Sequence, residues 1–282
     1  LYYIYCYLMR AILFPGQGSQ YVGMGSDFYE KFDSVKKIFE TVDKTLNFSL
    51  SKIILNGPES ELKLTQNTQP AIMTIGVSIF EVLKNNFNLN LNTTRFFAGH
   101  SLGEYTALVC AGSLSLERAA YLLHQRGKSM QEAVPPGQGS MMAVLGLRID
   151  EVEKEINLLP KEEICEIAND NTKGQVVVSG TKKAIKILNE NLKKKKKRGI
   201  ILSVSAPFHC SLMKTAAENM RKKIEDTNFL KPKPNVISNV TAQEETNVNR
   251  IKPLLIDQIT RRVRWRESVN YMIKQGVEDF LE

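Results

Sequence analysis

The chain has 282 residues, of which 43% are hydrophobic and 24% charged, a balance typical of an ordinary globular protein and not of a disordered or fibrous one. Its four cysteines show neither a Cys-x-x-Cys spacing nor a metal-ligand pattern with the three histidines, so we predict no metal site and no disulfide framework. The longest apolar stretch, residues 1–14, contains Arg10 and is too short to span a bilayer, so we predict no stable membrane insertion.

Apolar segments alternate with helical periodicity through the first part of the chain. The pattern predicts a strand in AILF, one helix over SDFYEKFDSVKKIFETV, a longer apolar helix over PAIMTIGVSIFEVLKNN, a strand in RFFA and a helix that begins at Glu104. Such alternation indicates a parallel sheet with helices on its faces, and therefore the α/β class.

Residues 140–204 change to a β-α-β-β-α-β order, from MMAVLGL to GIILSVS. This order is the split βαβ signature of a ferredoxin-like unit. We therefore predict a ferredoxin-like small domain over residues 139–205, inserted into a large α/β-hydrolase-like domain made of residues 1–138 and 206–282. After the insert the pattern returns to helix, strand and helix.

A serine between two glycines, in the stretch Gly99-His100-Ser101-Leu102-Gly103, fits the G-x-S-x-G elbow. In this elbow the serine lies on a sharp turn between a strand and a helix, and the small flanking residues prevent a clash between those two elements. Both a predicted strand and a predicted helix flank the motif. Ser101 is therefore a candidate nucleophile.

A serine nucleophile needs a general base and hydrogen-bond donors for the developing oxyanion. His209, in SVSAPFHCSLMK, follows a predicted strand and is the best-placed histidine; His124 falls on a helix. The order Ser101 then His209 also occurs in α/β-hydrolases, so the elbow alone leaves hydrolase and transferase both open. Asp150 and Asp170 fall in the small insert, so no triad acid is well placed.

Seven segments in the same order carry a family resemblance: FPGQGSQYVGMG, TQPAI, GHSLGEYTAL, RGKSMQEAV, GQVVVSG, SAPFHCSLM and VRWRESVNYMIKQGVE. Together they resemble the malonyl-CoA:acyl carrier protein transacylases of dissociated (type II) fatty-acid synthesis, from about residue 10 to residue 282. The resemblance implies an α/β-hydrolase-like domain with a ferredoxin-like insert, malonyl-CoA as substrate, acyl carrier protein as partner and no cofactor of its own.

The same resemblance assigns roles to residues of the site. It implies that Ser101 accepts the acyl group, that His209 is its base, and that a main-chain carbonyl at Gln258 orients the histidine in place of an acid. It also implies oxyanion donors at the main-chain N–H groups of Gln17 and Leu102. A helix N-terminus such as that after Ser101 offers free N–H groups, which supports the second donor.

Two further residues are implied to select the substrate. Arg126 matches the family arginine that holds the malonyl carboxylate, and a guanidinium fork pairs with a carboxylate through two hydrogen bonds. Phe208 matches a phenylalanine that accompanies malonyl selectivity in related acyltransferases.

The run KKKKKR at residues 193–198 holds much of the net charge of +8. A solvated surface loop is one interpretation of Lys193 to Lys197, and a landing site for an acidic partner or a phosphate-bearing ligand is the other. No aromatic residues interleave with the run and no nucleic-acid-binding motif accompanies it, so we predict no nucleic-acid partner.

Both ends of the chain depart from the resembled family. The chain begins without Met, and the residues before Arg10 have no family counterpart, which suggests an organelle leader. We predict a plastid-type organelle, with a bacterial cytoplasm as the alternative. At the other end the chain stops at Glu282, where the family continues, so we expect the closing strand of the sheet to be missing.

Overall fold

The computed structural model of the protein describes residues 8–204 and 206–282. Most of the proposed leader therefore lies outside the described residues. The strands are β1 (Met9–Phe14), β2 (Thr94–Gly99), β3 (Gly139–Leu145), β4 (Cys165–Thr172), β5 (Gln175–Thr181), β6 (Arg198–Ile201), β7 (Asn235–Ile237), β8 (Glu244–Glu245) and β9 (Val277–Leu281).

Five of these strands form one sheet in the order β8-β7-β2-β1-β9. Its β7–β2, β2–β1 and β1–β9 pairs are parallel, and only the short β8 runs antiparallel to its neighbour. The expectation that the closing strand is missing is wrong, because β9 pairs with β1 along the edge of the sheet. Val277 of this strand is buried, and the strand pairs with β1 from Val277 to Leu281.

The helices are α1 (Ser26–Lys31), α2 (Asp33–Leu46), α3 (Leu50–Asn56), α4 (Glu59–Leu62), α5 (Thr65–Asn85), α6 (Gly103–Cys110), α7 (Leu116–Glu132), α8 (Ile149–Ile156), α9 (Lys182–Lys194), α10 (Lys214–Glu225), α11 (Val248–Asp257) and α12 (Trp265–Lys274). The single helix predicted over SDFYEKFDSVKKIFETV is wrong, because Phe32 has extended backbone angles and separates α1 from α2. The apolar positions keep helical spacing across this break, so periodicity does not reveal it.

The remaining strands form a separate antiparallel sheet in the order β4-β5-β3-β6, with α8 and α9 as its two crossover helices. This order is the one expected for a ferredoxin-like unit, and the predicted α/β class with a parallel sheet and a second, inserted sheet is confirmed. One set of buried side chains packs this sheet against α8 and α9, and they include Met142, Val144, Val178 and Leu188. The exact domain boundaries stay a prediction.

The carboxyl ends of three parallel strands position three polar residues at one edge of the sheet. Ser101 follows β2, Gln17 follows β1 and Asn239 follows β7. Ligands of open α/β sheets bind in the crevice at this edge. Beneath it Phe14, Phe80 and Phe97 pack edge to face, with ring centroids 5.4 to 6.4 Å apart. Within the described ranges, no helix combines the length and the apolar character needed to cross a membrane.

Candidate active site

The turn that carries Ser101 has the geometry of a strained elbow. Ser101 has φ +54°, in the left-handed region where a residue with a side chain costs about 1–3 kcal/mol. A Cβ on Gly99 would lie 1.9 Å from the carbonyl carbon of Gly103, and a Cβ on Gly103 would lie 2.4 Å from the oxygen of Phe14. Only glycine therefore fits at these two positions, and the elbow predicted from the sequence is present.

The structure brings Ser101 and His209 together across 108 residues of sequence. Ser101 Oγ lies 2.8 Å from His209 Nε2, and His209 Nδ1 lies 2.8 Å from the main-chain oxygen of Gln258. Because a carbonyl oxygen can only accept, Nδ1 must carry the proton, which leaves Nε2 as the acceptor for the serine hydroxyl. This is the arrangement that a general base needs.

Arg126 lies on α7 with its side chain 1% exposed, and its guanidinium reaches the same serine. Its Nη1 donates to Gln69 Oε1 at 2.7 Å, and its Nη2 donates to Gln258 Oε1 at 2.8 Å and to Ser101 Oγ at 3.1 Å. Its Nε is buried and has no hydrogen-bond partner among the described residues. Burial lowers the pKa of the guanidinium, but an arginine keeps its charge at any working pH.

The two predicted oxyanion donors line the same cavity as the serine. Leu102 precedes the first residue of α6, and Gln17 lies in the turn after β1. In the part of the chain that the structure describes, neither main-chain N–H donates to a protein atom, whereas the Ser101 N–H is held by Asn239 Oδ1 at 2.7 Å. An N–H group without a protein partner can donate to a developing oxyanion.

Three buried polar residues of the site escape sequence reasoning: Gln69, Glu104 and Asn239. Gln258 Nε2 donates to Glu104 Oε2 at 2.7 Å, and the main-chain N–H of Asn239 donates to the same oxygen at 3.0 Å. The only sequence signals were that Gln69 lies in TQPAI, Glu104 in the elbow segment, and Asn239 after a strand of the parallel sheet.

Two titratable groups of the site are shifted mainly by burial. Burial, together with the nearby charge of Arg126, lowers the pKa of His209 to about 3, so the imidazole is neutral at physiological pH. Burial raises the pKa of Glu104 to about 7, against the opposing effect of its hydrogen bonds and of Arg126. The Nδ1 of His209 is taken by the Gln258 main-chain oxygen and not by Glu104, so Glu104 is not a triad acid.

A cavity of about 170 Å³ opens onto Ser101. Its apolar wall is formed by Met130, Met141, Val177, Leu202, Val204 and the buried Phe208. His100 lines it as well, held by Asn171 Oδ1 at 3.0 Å and packed against the Trp265 ring. A larger groove of about 670 Å³, lined by Arg261, Arg262 and Arg264, lacks Ser101 and His209, so we place the site at the smaller cavity.

The other sequence candidates lie elsewhere. Asp170 is buried and pairs with Arg266 at 2.7 Å, Asp150 pairs with Arg148 on the surface, and His124 bonds the main-chain oxygen of Gln66. No group of three or more potential metal-ligating side chains occurs within residues 8–204 and 206–282.

The lysine run covers the end of α9, the turn after it and the first residue of β6, and its side chains from Lys193 to Arg198 are all exposed. Lys195 pairs with Glu155 at 2.6 Å. The chain continues from β6 directly to Leu202 and Val204, which line the cavity. The run therefore lies only a few residues of chain from the candidate active site.

A serine at the carboxyl end of a parallel strand, hydrogen-bonded to a neutral histidine in the loop between β6 and α10, is an arrangement that supports acyl-serine chemistry in a protein of the α/β class. The sequence profile of the acyl transferase domain matches residues 12–282. The chain therefore belongs to the acyl transferase domain family, and the predicted resemblance is confirmed.

Individual relatives agree with this family. The chain is similar to the malonyl CoA-acyl carrier protein transacylases of Bacillus subtilis (42% identical, 96% of this chain and 85% of the relative) and of Escherichia coli K12 (38%, 96% and 87%). It also resembles the crystal structure of the acyl-carrier-protein S-malonyltransferase of Bartonella henselae, with TM-score 0.93, 42% identity, and 97% and 87% of the two chains covered.

Another similar structure is a malonyl-transacylase in complex with a type II PKS acyl-carrier protein (TM-score 0.93, 37% identity, 97% and 88% covered). The named relatives are bacterial. They agree with the bacterial alternative for the source of the chain and give no support to the predicted plastid-type organelle.

Proposed function

We propose that this protein is an acyltransferase that moves the malonyl group from malonyl-CoA to the phosphopantetheine thiol of acyl carrier protein, through a malonyl-serine intermediate on Ser101. The observation that carries the proposal is the buried Arg126 guanidinium, which lies 3.1 Å from a serine oxygen that is itself 2.8 Å from the His209 base. The activity and the carrier protein named for the relatives support it.

In the first half-reaction Ser101 Oγ attacks the thioester carbonyl while His209 Nε2 takes the hydroxyl proton. The negative charge that develops on the carbonyl oxygen is held by the N–H groups of Gln17 and Leu102. The carbon–sulfur bond then breaks, and His209 returns the proton to the departing thiolate of CoA. The malonyl group is left as an ester on Ser101.

The second half-reaction runs the same steps with a different thiol. The phosphopantetheine thiol of the carrier protein gives its proton to His209 Nε2 and attacks the ester carbonyl. The serine oxygen leaves and recovers the proton from His209. Because the main-chain oxygen of Gln258 holds Nδ1–H throughout, the ring keeps one orientation and one tautomer in both directions.

Arg126 is proposed to bind the malonyl carboxylate. Its Nε lacks a partner within the described residues, and its three present partners are neutral oxygens, so its charge is available to an anionic ligand. A buried cation without a counter-ion is costly, which favours a carboxylate here over the methyl group of acetyl-CoA. Phe208, on the apolar wall, is proposed to limit the room beside the malonyl α-carbon.

The proposal is tested by intact mass spectrometry after malonyl-CoA is added without carrier protein. A stable malonyl adduct that is lost when holo-carrier protein is added is the expected result. An adduct that disappears in water alone would indicate a thioesterase or esterase, and no adduct at all would indicate a binding scaffold without catalysis. Either of these results would overturn the transferase assignment.

Ser101→Ala should abolish the adduct and leave the fold intact, because one hydroxyl at a turn adds little to packing. The melting temperature of the variant checks its fold, and Ser113→Ala, at a serine away from the cavity, is the control for a lost hydroxyl. Malonyl transfer by a folded Ser101→Ala protein would contradict the assigned nucleophile.

The proposal also includes the domain boundaries and the cellular location. We place the domain boundaries at residues 139 and 205, supported by the separate buried cluster between the second sheet and its helices. We place the enzyme with its carrier protein in the bacterial cytoplasm, supported by the bacterial sources of the relatives. Cell fractionation against the carrier protein tests this placement.

A further inference from the structure

Glu104 is a buried carboxylate directly behind the elbow, and the mechanism above does not use it. Its side chain is 4% exposed, and within the described ranges it has no ion pair. A single oxygen, Oε2, accepts two hydrogen bonds, from Gln258 Nε2 at 2.7 Å and from the main-chain N–H of Asn239 at 3.0 Å. A buried carboxylate needs such donors, because desolvation without them is costly.

The first of these bonds fixes the direction of the Gln258 side-chain amide. With Nε2 on Glu104, the Oε1 end faces Arg126 Nη2 at 2.8 Å. If the amide turned over, its NH₂ group would face the guanidinium, which has only donors, and its oxygen would face the Glu104 carboxyl, which in its ionised form has only acceptors. Glu104 and Arg126 therefore hold the Gln258 amide in one direction between them.

The second bond reaches the elbow itself. Asn239, held through its main chain by Glu104, accepts from the Ser101 N–H at 2.7 Å and donates to the Gly99 oxygen at 2.8 Å. Gln258 Nε2 also lies 3.1 Å from the Ser101 main-chain oxygen. One carboxylate oxygen thus connects the residue that supports the serine and the residue that supports the arginine.

We propose that Glu104 is a positioning residue for acyl-group selection. Its side chain is long enough for one carboxyl oxygen to accept hydrogen bonds from both Gln258 and Asn239. Through these two residues it keeps the Arg126 guanidinium aligned with Ser101. The inference rests on the proposed function, because it concerns how the carboxylate-binding arginine is oriented. The effect of Glu104 is therefore on which acyl group is accepted.

A role for the charge of Glu104, as a distant counter-ion, is the competing explanation. The charged and titratable groups around it are Arg126, reached through Gln258, the neighbouring Tyr105, and Glu245, which lines the same small cavity and pairs with Arg250. If the charge of Glu104 were decisive, any carboxylate at position 104 would preserve the preference for malonyl-CoA. If the side-chain length is decisive, only a side chain of the same length would preserve it.

Two conservative variants separate these explanations. Glu104→Asp keeps the charge but withdraws the carboxyl by about 1.5 Å, one carbon–carbon bond, so it cannot hold both donors. Glu104→Gln keeps an oxygen at the same distance and removes the charge. The measurement is the ratio of kcat/KM for malonyl-CoA to that for acetyl-CoA, taken with both substrates in competition so that it does not depend on the folded fraction.

The expected result is a ratio about 10-fold or more lower in Glu104→Asp, the size of one lost hydrogen bond to a charged group, and within about threefold of wild type in Glu104→Gln. The same two substitutions at Glu117, an exposed residue in the first turn of α7, are the matched control and should leave the ratio unchanged.

Two results would overturn the inference. They are an unchanged ratio in Glu104→Asp and a fall of the ratio in Glu104→Gln as large as in Glu104→Asp. Both require a wild-type protein that prefers malonyl-CoA. A wild-type protein that transfers no malonyl group refutes the proposed function instead, so the two failures are distinguishable.

Discussion

Arg126→Ala should change which acyl group the protein accepts. Malonyl-CoA would then place its carboxylate in a buried cleft without a partner, and removal of one member of a buried pair costs about 3–5 kcal/mol. At about 1.4 kcal/mol per tenfold, kcat/KM for malonyl-CoA should fall by about 100-fold or more. The amide oxygens of Gln69 and Gln258 also lose their donor, which should destabilise the fold by about 1–3 kcal/mol for each.

In Arg126→Ala the transfer of the acetyl group from acetyl-CoA should rise or stay unchanged. Acetyl-CoA carries no carboxylate, so it loses no ion pair in the variant. The charge of Arg126 is one cause of the low pKa of His209, so its removal should make the imidazole a stronger base. Acetyl transfer per folded molecule should therefore hold steady or rise, and Arg126→Lys should fall between wild type and Arg126→Ala, because it keeps the charge and loses the fork.

The assay is competitive transfer from the two CoA esters, with the fold checked by thermal unfolding. Arg118→Ala is the matched control, because Arg118 lies on the same helix but bonds Thr227 and the Lys223 main chain, away from the cavity. It should lower stability without changing the substrate ratio. If Arg126→Ala lowers both substrates equally, the arginine is structural and the carboxylate assignment is wrong.

Two other predictions concern charge. Because the pKa of His209 is about 3, the rate of malonyl-serine formation, measured by rapid quench, should show no His209 inflection near pH 6.5. The free energy of unfolding should fall as the pH drops from about 6.5 toward 3, because in this range only the unfolded imidazole takes up a proton. This fall should be smaller in His209→Gln. Neutralising Lys193 to Lys197 should weaken transfer to carrier protein more than acylation by malonyl-CoA at low salt. Neutralising Lys182 and Lys186, at the other end of α9, is the control. Unchanged carrier-protein kinetics would show that the run is solvated surface and not a docking site.

The elbow and the order of elements could be predicted because their signals are local. Atoms within a few residues or on the adjoining strand leave no room for a Cβ at Gly99 and Gly103. The alternation of strands and helices follows from the local pattern of apolar residues along the sequence. The break at Phe32 and the closing strand β9 are different. The first has no Gly or Pro to mark it, and the second depends on pairing with β1, more than 260 residues earlier in sequence.

The buried polar network could not be predicted from pattern. Glu104 and Asn239 are separated by 135 residues, and Gln258 lies 154 residues from Glu104. On sequence alone Glu104 is one acidic residue in the first turn of a helix, where a solvated carboxylate is ordinary. Its burial follows from how α6 packs under the end of β7, and such pairing of polar groups is decided by tertiary packing alone.

The neutrality of the groups around Arg126 explains why the histidine is oriented by a main-chain oxygen. In the described residues the hydrogen-bond acceptors of Arg126 are all neutral: the amide oxygens of Gln69 and Gln258 and the serine hydroxyl. A triad acid beside His209 would lie within reach of this guanidinium, and an ion pair between them would compete with a carboxylate substrate for the same cation. The carbonyl of Gln258 fixes the imidazole without that competition, so the base and the cation proposed to bind the acyl carboxylate can share one site.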